Sequence, residues 1–384
     1  MRRNIGAIIA IFLCTTFAWM ILGASIESRT KSSGSDLAPR VESMWGCPQE
    51  QVPPLAFKTT PPNDALPLER SRVQVGLNLE QRQKGLLWFP TYRVAYRGAY
   101  LFRNNTSSDE VTLKLMFPEA NAVYDDLVFR VDGQAVPVTT SGGAAIAVIH
   151  HPPGTPIQLE VGYRSQGMST WHYSFGQGVG QVRDFVLDMH TDFDRIDFPQ
   201  ETLSPTEKRK AGGGWQLTWR YVNLVTGSKI GMVMPEKIQP GPLAGRISFF
   251  APVSLLFFFF LIFIISAMRK IALHPMHYFF LATSFFAFHL LLAYLADHIS
   301  IHLAFAICSA VSIFLVVSYL RIVAGARFAL VEAAMTQFVY LVLFSYAFFL
   351  PGFTGLAITI GAIVSLFVVM QMTARIAWGT SAAS

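Results

Sequence analysis

Five long apolar runs follow one another from Ser248 to Ala374, with only short turns between them. They are Ser248–Ala267, Tyr278–Ala296, Ile301–Leu320, Phe328–Leu350 and Thr354–Ala374. A sixth, Ile5–Ala24, follows Arg2 and Arg3 near the start. Each holds about twenty residues, which at about 1.5 Å per residue spans the roughly 30 Å of a bilayer's hydrocarbon. Backbone N–H and C=O groups find no water there and must pair within their own segment, so such runs become helices. The sequence predicts an integral membrane protein with six transmembrane α-helices, one N-terminal and five C-terminal, and the lipid bilayer as its first partner.

The order of basic, apolar and small residues at the start is also that of a signal peptide, whose apolar core is about 7–15 residues long. Here the run is longer, and Leu22-Gly23-Ala24 puts a leucine where a cleavage site wants a small side chain. Residues 1–25 are therefore read as an uncleaved anchor. Of the 30 Lys and Arg residues, seven lie outside Glu27–Arg246: Arg2, Arg3, Arg269, Lys270, Arg321, Arg327 and Arg375. Of the 24 Asp and Glu residues, only Asp297 and Glu332 do, so charge nearly balances inside that window. The net charge of +6 is thus a topology signal and not a nucleic-acid surface. All seven basic residues fall on one side if both termini are cytoplasmic. The turns at Asp297-His298 and Pro351-Gly352-Phe353 then lie outside, with residues 26–247, and 376–384 form a short cytoplasmic tail.

Residues 26–70 are rich in Ser, Pro and charge and read as a linker. One island interrupts it, Met44-Trp45-Gly46-Cys47-Pro48-Gln49, and a tryptophan there implies docking on something. From Ser71 the apolar period becomes two: Val73, Val75, Leu77 and Leu79 alternate with polar residues. Further strands are expected at Tyr92–Asn104, Glu110–Phe117, Asp126–Val131, Ala144–Ile149, Ile157–Tyr163, Phe185–Met189, Gln216–Tyr221 and Ile230–Met234. Turn residues such as Asp132-Gly133 and Pro152-Pro153-Gly154 separate them. Short strands with regular turn signals predict an antiparallel β-sandwich-like domain over 71–235, between the first and second helices. Two smaller sandwiches meeting near Tyr163–Gly180 are the alternative. Residues 236–247 read as a second, Pro/Gly-rich linker.

Three cysteines are too few for a disulfide framework, and Cys47 stands alone in the middle segment. It is read as an ordinary thiol over a lipid-bearing or reactive one. His274-Pro275-Met276-His277 opens a span. Its two imidazoles share a helical face and could begin a metal site, but His274 capping the helix with Pro275 at its first position explains the pattern without one. His289, Ser312, Gln337 and Ser365 fall at roughly 14–17 Å depth by helical rise and form a candidate polar layer near the midplane. Glu332 is shallow and can pair with Arg327. Asp297, His298 and His302 gather at an outer turn, where pH or metal sensing is an alternative to solvated turn residues. Asp184, Asp188, Asp192, Asp194 and Asp197 surround His190 but lack the glycine and closing glutamate of a calcium loop, so they read as a solvated strand face. Asn104-Asn105-Thr106-Ser107 holds two overlapping glycosylation sequons. No cofactor motif and no catalytic constellation is present in the sequence.

One anchor, a large β domain and a terminal five-helix bundle resemble the inner-membrane CreD family of cell envelope integrity proteins. The resemblance rests on Leu273-His274-Pro275-Met276 with Tyr278, on the helix that then ends at Asp297-His298, and on Trp45-Gly46 with Gln49 after the first helix. It continues loosely from Gly325 to Trp378, and Pro53-Pro54 stands where the family has Gly-Pro. The resemblance implies a bacterial inner membrane, a periplasmic β domain and a non-enzymatic role in envelope integrity or stress through a periplasmic or envelope partner. Self-association of the bundle is a further expectation. A transporter or permeation factor built on the polar layer, and an outward pH or metal sensor, are the rival functions.

Overall fold

The structure, a computed structural model, describes residues 2–85, 87–119, 122–176, 180–350 and 352–374, with the side chains of 2–4 and 372 set aside. Pro351, Arg375, Trp378 and the tail 376–384 lie outside the described residues, as do the side chains of Arg2 and Arg3. The chain divides into two compact units: Met1–Ser35 with Ile238–Ser384, and Asp36–Lys237.

Among the described residues, six helices are long and apolar enough to cross a membrane. They are α1 (Arg2–Trp45), α2 (Pro240–Met268), α3 (Pro275–Leu295), α4 (Ile301–Ala324), α5 (Phe328–Phe349) and α6 (Thr354–Thr373). Two expected linkers prove to be partly helix. α1 runs on through the Ser-rich stretch to Trp45, supported by the Lys31–Glu27 pair one turn apart at 2.7 Å. It stops at Gly46, whose φ of +96° closes the helix while its N–H bonds to the Glu42 carbonyl at 3.0 Å. α2 starts at Pro240, a position where a proline's missing N–H has no helical partner. Composition alone misread both, because Ser, Pro and Gly at helix ends look like those of loops.

In the membrane unit, Leu255, Phe258, Phe285, Phe288 and Leu292 fill the core between α2 and α3, and Cys308 and Val316 of α4 pack beside them. α5 is irregular, with π-helical segments at Phe328–Ala333 and Phe338–Leu343. The Ser254 hydroxyl of α2 bonds to the Tyr340 carbonyl within the second of these, giving that carbonyl a partner outside the helix ladder.

Among its described residues, the unit Asp36–Lys237 is built of three sheets. The largest runs β13 (Glu207–Ala211), β14 (Gly214–Thr226), β12 (Gly180–Thr191), β3 (Leu68–Lys84), β4 (Leu87–Arg103), β10 (Pro156–Met168), β6 (Tyr124–Val131), β7 (Gln134–Ala135). A four-stranded sheet orders β2 (Leu55–Lys58), β5 (Glu110–Met116), β9 (Ala144–His150) and β8 (Thr139–Ser141), and a small one joins β1 (Gln49–Gln51), β11 (Thr170–Tyr173) and β15 (Ile230–Val233). Every expected strand is present. Most neighbours are antiparallel, but β12 pairs with β3, and β1 with β11, in parallel. Alternation tells which face a side chain takes and not which way its neighbour runs. Val73, Tyr96, Leu113, Ala147, Leu187, Trp171 and Trp219, drawn from all three sheets, enter one hydrophobic core, so a single layered domain forms and not two sandwiches.

That core holds many tyrosines, and each buried hydroxyl has a partner, as burial demands. Tyr92 donates to the Thr170 carbonyl at 2.8 Å, Tyr163 donates to Gln51 Oε1 at 2.6 Å, and Tyr96 bonds to Tyr100. Burial pushes the Tyr96, Tyr100, Tyr163 and Tyr173 hydroxyls well above their ordinary range. The Trp45–Gln49 island docks here. Gln49, 1% exposed, donates to Ser165 Oγ and the Gln166 carbonyl at 3.0 and 2.8 Å. A Cβ on Gly46 would lie 2.4 Å from the Gln166 carbonyl oxygen, and Trp45 lies 5.5 Å from the Arg82 guanidinium. Gly46 is thus required twice, by its positive φ and by that approach. Gly46→Ala should cost about 2 kcal/mol or more of stability, seen as a lower denaturant midpoint of the purified chain by tryptophan fluorescence; an unchanged midpoint would show that the island is not held as described.

Candidate functional site

The membrane unit is where polar groups are costly, and their placement shows what each is for. α1 lies against α2 and α3 through small residues. A Cβ added to Gly241 would stand 2.5 Å from Thr30 Oγ1, one on Gly23 2.9 Å from the Phe249 ring, and one on Gly245 3.6 Å from Ile26. Gly241-Pro-Leu-Ala-Gly245 is a small-xxx-small pair of the kind that lets helices approach closely in lipid. Above it Arg29 clamps α1 to the end of α3, donating to the Ala293 carbonyl and to Asp297 Oδ2, both at 3.0 Å. Lower down, Trp19 is fully buried against Phe286 and His289, with ring centroids 5.7 and 5.5 Å away.

The predicted polar layer forms only in part. Gln337 Nε2 donates to Ser312 Oγ at 2.8 Å, and Ser312 donates to the Ser284 carbonyl at 2.7 Å, tying α5 to α4 and α4 to α3. His289 instead gives Nδ1–H to its own helix at the Phe285 carbonyl, 2.9 Å away, and Ser365 bonds to Gly361 within α6. Depth sets the level of a side chain; the helix face sets its neighbours, and depth was all that rise per residue could supply. Buried atoms left without a hydrogen-bond partner among the described residues include Thr16 Oγ1, Trp19 Nε1, His289 Nε2 and Gln337 Oε1. The first two come from α1, which was read only as an anchor.

His274 caps α3 as expected: its Nδ1 accepts from the Met276 N–H at 3.3 Å, with Pro275 at the first position. His277 turns away to Tyr319 Oη, 2.7 Å distant, and Tyr278 is buried against Phe259. Leu273 packs at the edge of the bundle core. Glu332 pairs with Arg269 at the end of α2 and not with Arg327. Asp297 is taken by Arg29 and His302 lies against Phe349, so with His298 they gather no ligand set among the described residues.

In the sheet unit the acidic run is spent residue by residue. Asp184 pairs with Arg70 and Arg72 at 2.7 and 2.6 Å, Asp188 accepts from Thr218, Asp192 accepts from the Leu79 N–H, and Asp194 pairs with Lys210. Asp197 accepts from the Phe198 N–H, and His190 is exposed on β12. Asn104 of the first sequon is fully buried, its amide donating to the Ser108 and His151 carbonyls at 2.9 and 3.0 Å, so it is no glycan acceptor in this fold. Burial, and then the Glu119 carboxylate, push the Cys47 thiol above its ordinary range, away from the reactive thiolate.

Residues 225–379 match the family model described as Inner membrane protein CreD. Over these residues the chain is similar to CreD inner membrane proteins. The CreD match takes in α2 to α6 with the Leu273–Tyr278 and Asp297-His298 motifs; the Trp45 island lies outside it. No curated protein matches the chain. Among solved structures, one described as a nutrient binding protein from Legionella pneumophila has a TM-score of 0.34 at 9% identity, covering 55% of this chain and 76% of its own. An M1 zinc metallopeptidase from Deinococcus radiodurans has a TM-score of 0.29 at 11% identity, covering 44% of this chain, which spans only 42% of that enzyme. Likeness at that level carries no argument.

Two measurements check this geometry. The Cβ built on Gly241 lies 3.6 Å from that of Thr30, within disulfide range. Thr30→Cys with Gly241→Cys, in a chain without its native cysteines, should oxidise and lose both thiols to maleimide labelling, and Asp297→Ala should slow that oxidation; persistent thiols would place α1 elsewhere. Separately, hydrogen bonds from Arg72 and Arg70 hold the Asp184 carboxyl below its ordinary 3.8. A carboxyl depressed in the folded state contributes stability above its unfolded pKa and loses it as pH falls through the folded one. Between about pH 5 and about pH 3, the denaturant midpoint of Asp184→Asn should therefore fall less than that of the wild type.

Proposed function

We propose that this chain, similar to CreD inner membrane proteins over residues 225–379, is a non-enzymatic protein of the cell envelope, whose sheet unit engages a protein partner in the periplasm while the bundle anchors it and supports envelope integrity. The observation that carries the proposal is how the bundle spends its polar groups. Gln337 with Ser312 and Ser284, Ser254 with Tyr340, Arg269 with Glu332 and Arg29 with Asp297 each join one helix to another. A bundle stitched in this way suits a fixed anchor. The basic turns support cytoplasmic termini and a periplasmic sheet unit: Arg269-Lys270 follows α2, and Arg321 and Arg327 flank the end of α4. In-cell photocrosslinking from position 190 on β12, followed by mass spectrometry, should yield a discrete partner. Turnover of an envelope substrate by the purified chain would overturn the non-enzymatic reading.

One observation favours a second reading, a permeation path. Thr16 Oγ1, Trp19 Nε1, His289 Nε2 and Gln337 Oε1 are polar, buried and unbonded inside the bundle, and such atoms often line pathways. Proteoliposome flux that disappears in His289→Ala with Gln337→Ala would establish it; equal background flux in both would remove it.

A further inference from the structure

The face of the eight-stranded sheet turned away from the core is not flat. Three hollows lie along β3, β4, β10 and β6, with cavity volumes of about 440, 630 and 360 Å³. The first two share Gln74, Arg97, Val128 and Gly162, and the second and third share Ala95 and Arg164, so they form one trough. Strand register explains its floor. Gly76 pairs with Ala95 and Ala95 with Arg164; Arg97 stands between Gln74 and Gly162; Ala99 stands between Arg72 and Glu160, which faces Arg130. Glycine and alanine at these outward positions remove the bulk that would fill the middle rows. Glycine inside a strand weakens it and marks places where another chain or a ligand comes close. From Arg72 to Asn78 the trough runs about 20 Å at roughly 3.3 Å per residue.

Its charges are not all spent. Arg72 is held by Asp184, Arg93 by Glu80 and Arg164 by Asp126. Arg97 and Arg130 are exposed and belong to no ion pair among the described residues. They stand two strands apart and one row offset, about 12 Å between backbones from strand spacing and rise. A bulge in β6 opposite Gly162–Arg164, with Asp126 at φ +52°, builds the wall beside them, and bulges re-aim side chains next to sites. A free guanidinium takes a carboxylate through two parallel bonds. The lining tyrosines, Tyr96 and Tyr163, are buried in the core beneath, so neither phenol ring is placed to stack a sugar, and the exposed ring on this lining is the His190 imidazole. The side-chain amides of Gln74, Asn78 and Gln166 are instead suited to a peptide backbone.

We propose that this trough holds an extended acidic segment of a partner protein, its carboxylates meeting Arg97 and Arg130. The proposal rests on the partner-binding reading above and names the chemistry of that partner. The test uses the full chain in nanodiscs of zwitterionic lipid and a fluorescent alternating Glu-Gly peptide of about six residues, the length the trough admits. Binding should saturate, weaken with salt, and weaken about tenfold or more in Arg97→Glu with Arg130→Glu. Arg209→Glu on β13, outside the trough, should bind as wild type, and Arg97→Lys with Arg130→Lys should fall between. Absence of peptide binding, or equal binding by the charge-reversed chain, overturns the proposal. So does binding of polyphosphate or anionic vesicles through Arg97 and Arg130 without the peptide. A partner crosslinked in cells from position 190 that ignores Arg97→Glu removes the trough and leaves the partner-binding reading standing; no partner at all removes that reading.

Discussion

Hydrogen bonding without water is the constraint on which the membrane unit depends. Every polar side chain that enters hydrocarbon must find a partner on its own helix or on a neighbour. Most of the buried hydroxyls and amides here do one or the other. Those that bond across, such as Ser312, Gln337 and Ser254, hold the helices in register. The same demand accounts for the irregular backbone of α5, where Ser254 takes up a carbonyl within a π-helical turn. Close approach supplies the rest: Gly241 and Gly245 on α2 give α1 a groove, and Arg29 with Asp297 fixes its height.

The sheet unit meets the same constraint by another route. Its core is rich in aromatic hydroxyls, and the glutamines of the segment after α1 are buried to serve them. Gln51 accepts from Tyr163, and Gln49 reaches Ser165 and Gln166. This gives a physical reason for the Trp45-Gly46…Gln49 pattern. The tryptophan lies by Arg82, the glycine lets the chain turn against the Gln166 carbonyl, and the glutamine carries it into the core as β1. A segment whose composition belongs to a linker is thus part of the domain.

The opposite face of that sheet is a different surface. Core positions are filled with Tyr, Val and Leu, while the outward row of β4 alternates Arg93 and Arg97 with Ala95 and Ala99, beside Gly76 of β3 and Gly162 of β10. An outward row needs no packing, so small residues there serve shape. A hollow floor with Arg97 and Arg130 in no ion pair among the described residues is the surface to which a binding role attaches most directly.

Much was legible in the sequence because it follows from local rules. Span length, alternation in the strands and the His274-Pro275 cap are each read within a few residues, and each appears as expected. Helix ends were harder: Pro240 and the Ser-rich part of α1 carry loop-like composition, yet the backbone continues through them. What the tertiary structure alone decided is which residues meet. The partnership of Ser312 with Gln337, the separation of His289 and Ser365 from them, the choice of Arg269 over Arg327 by Glu332, and the parallel pairing of β12 with β3 all depend on helix rotation and strand order. Rise and period assign a residue to a depth and a face, whereas contact depends on how faces from distant parts of the chain are turned toward each other.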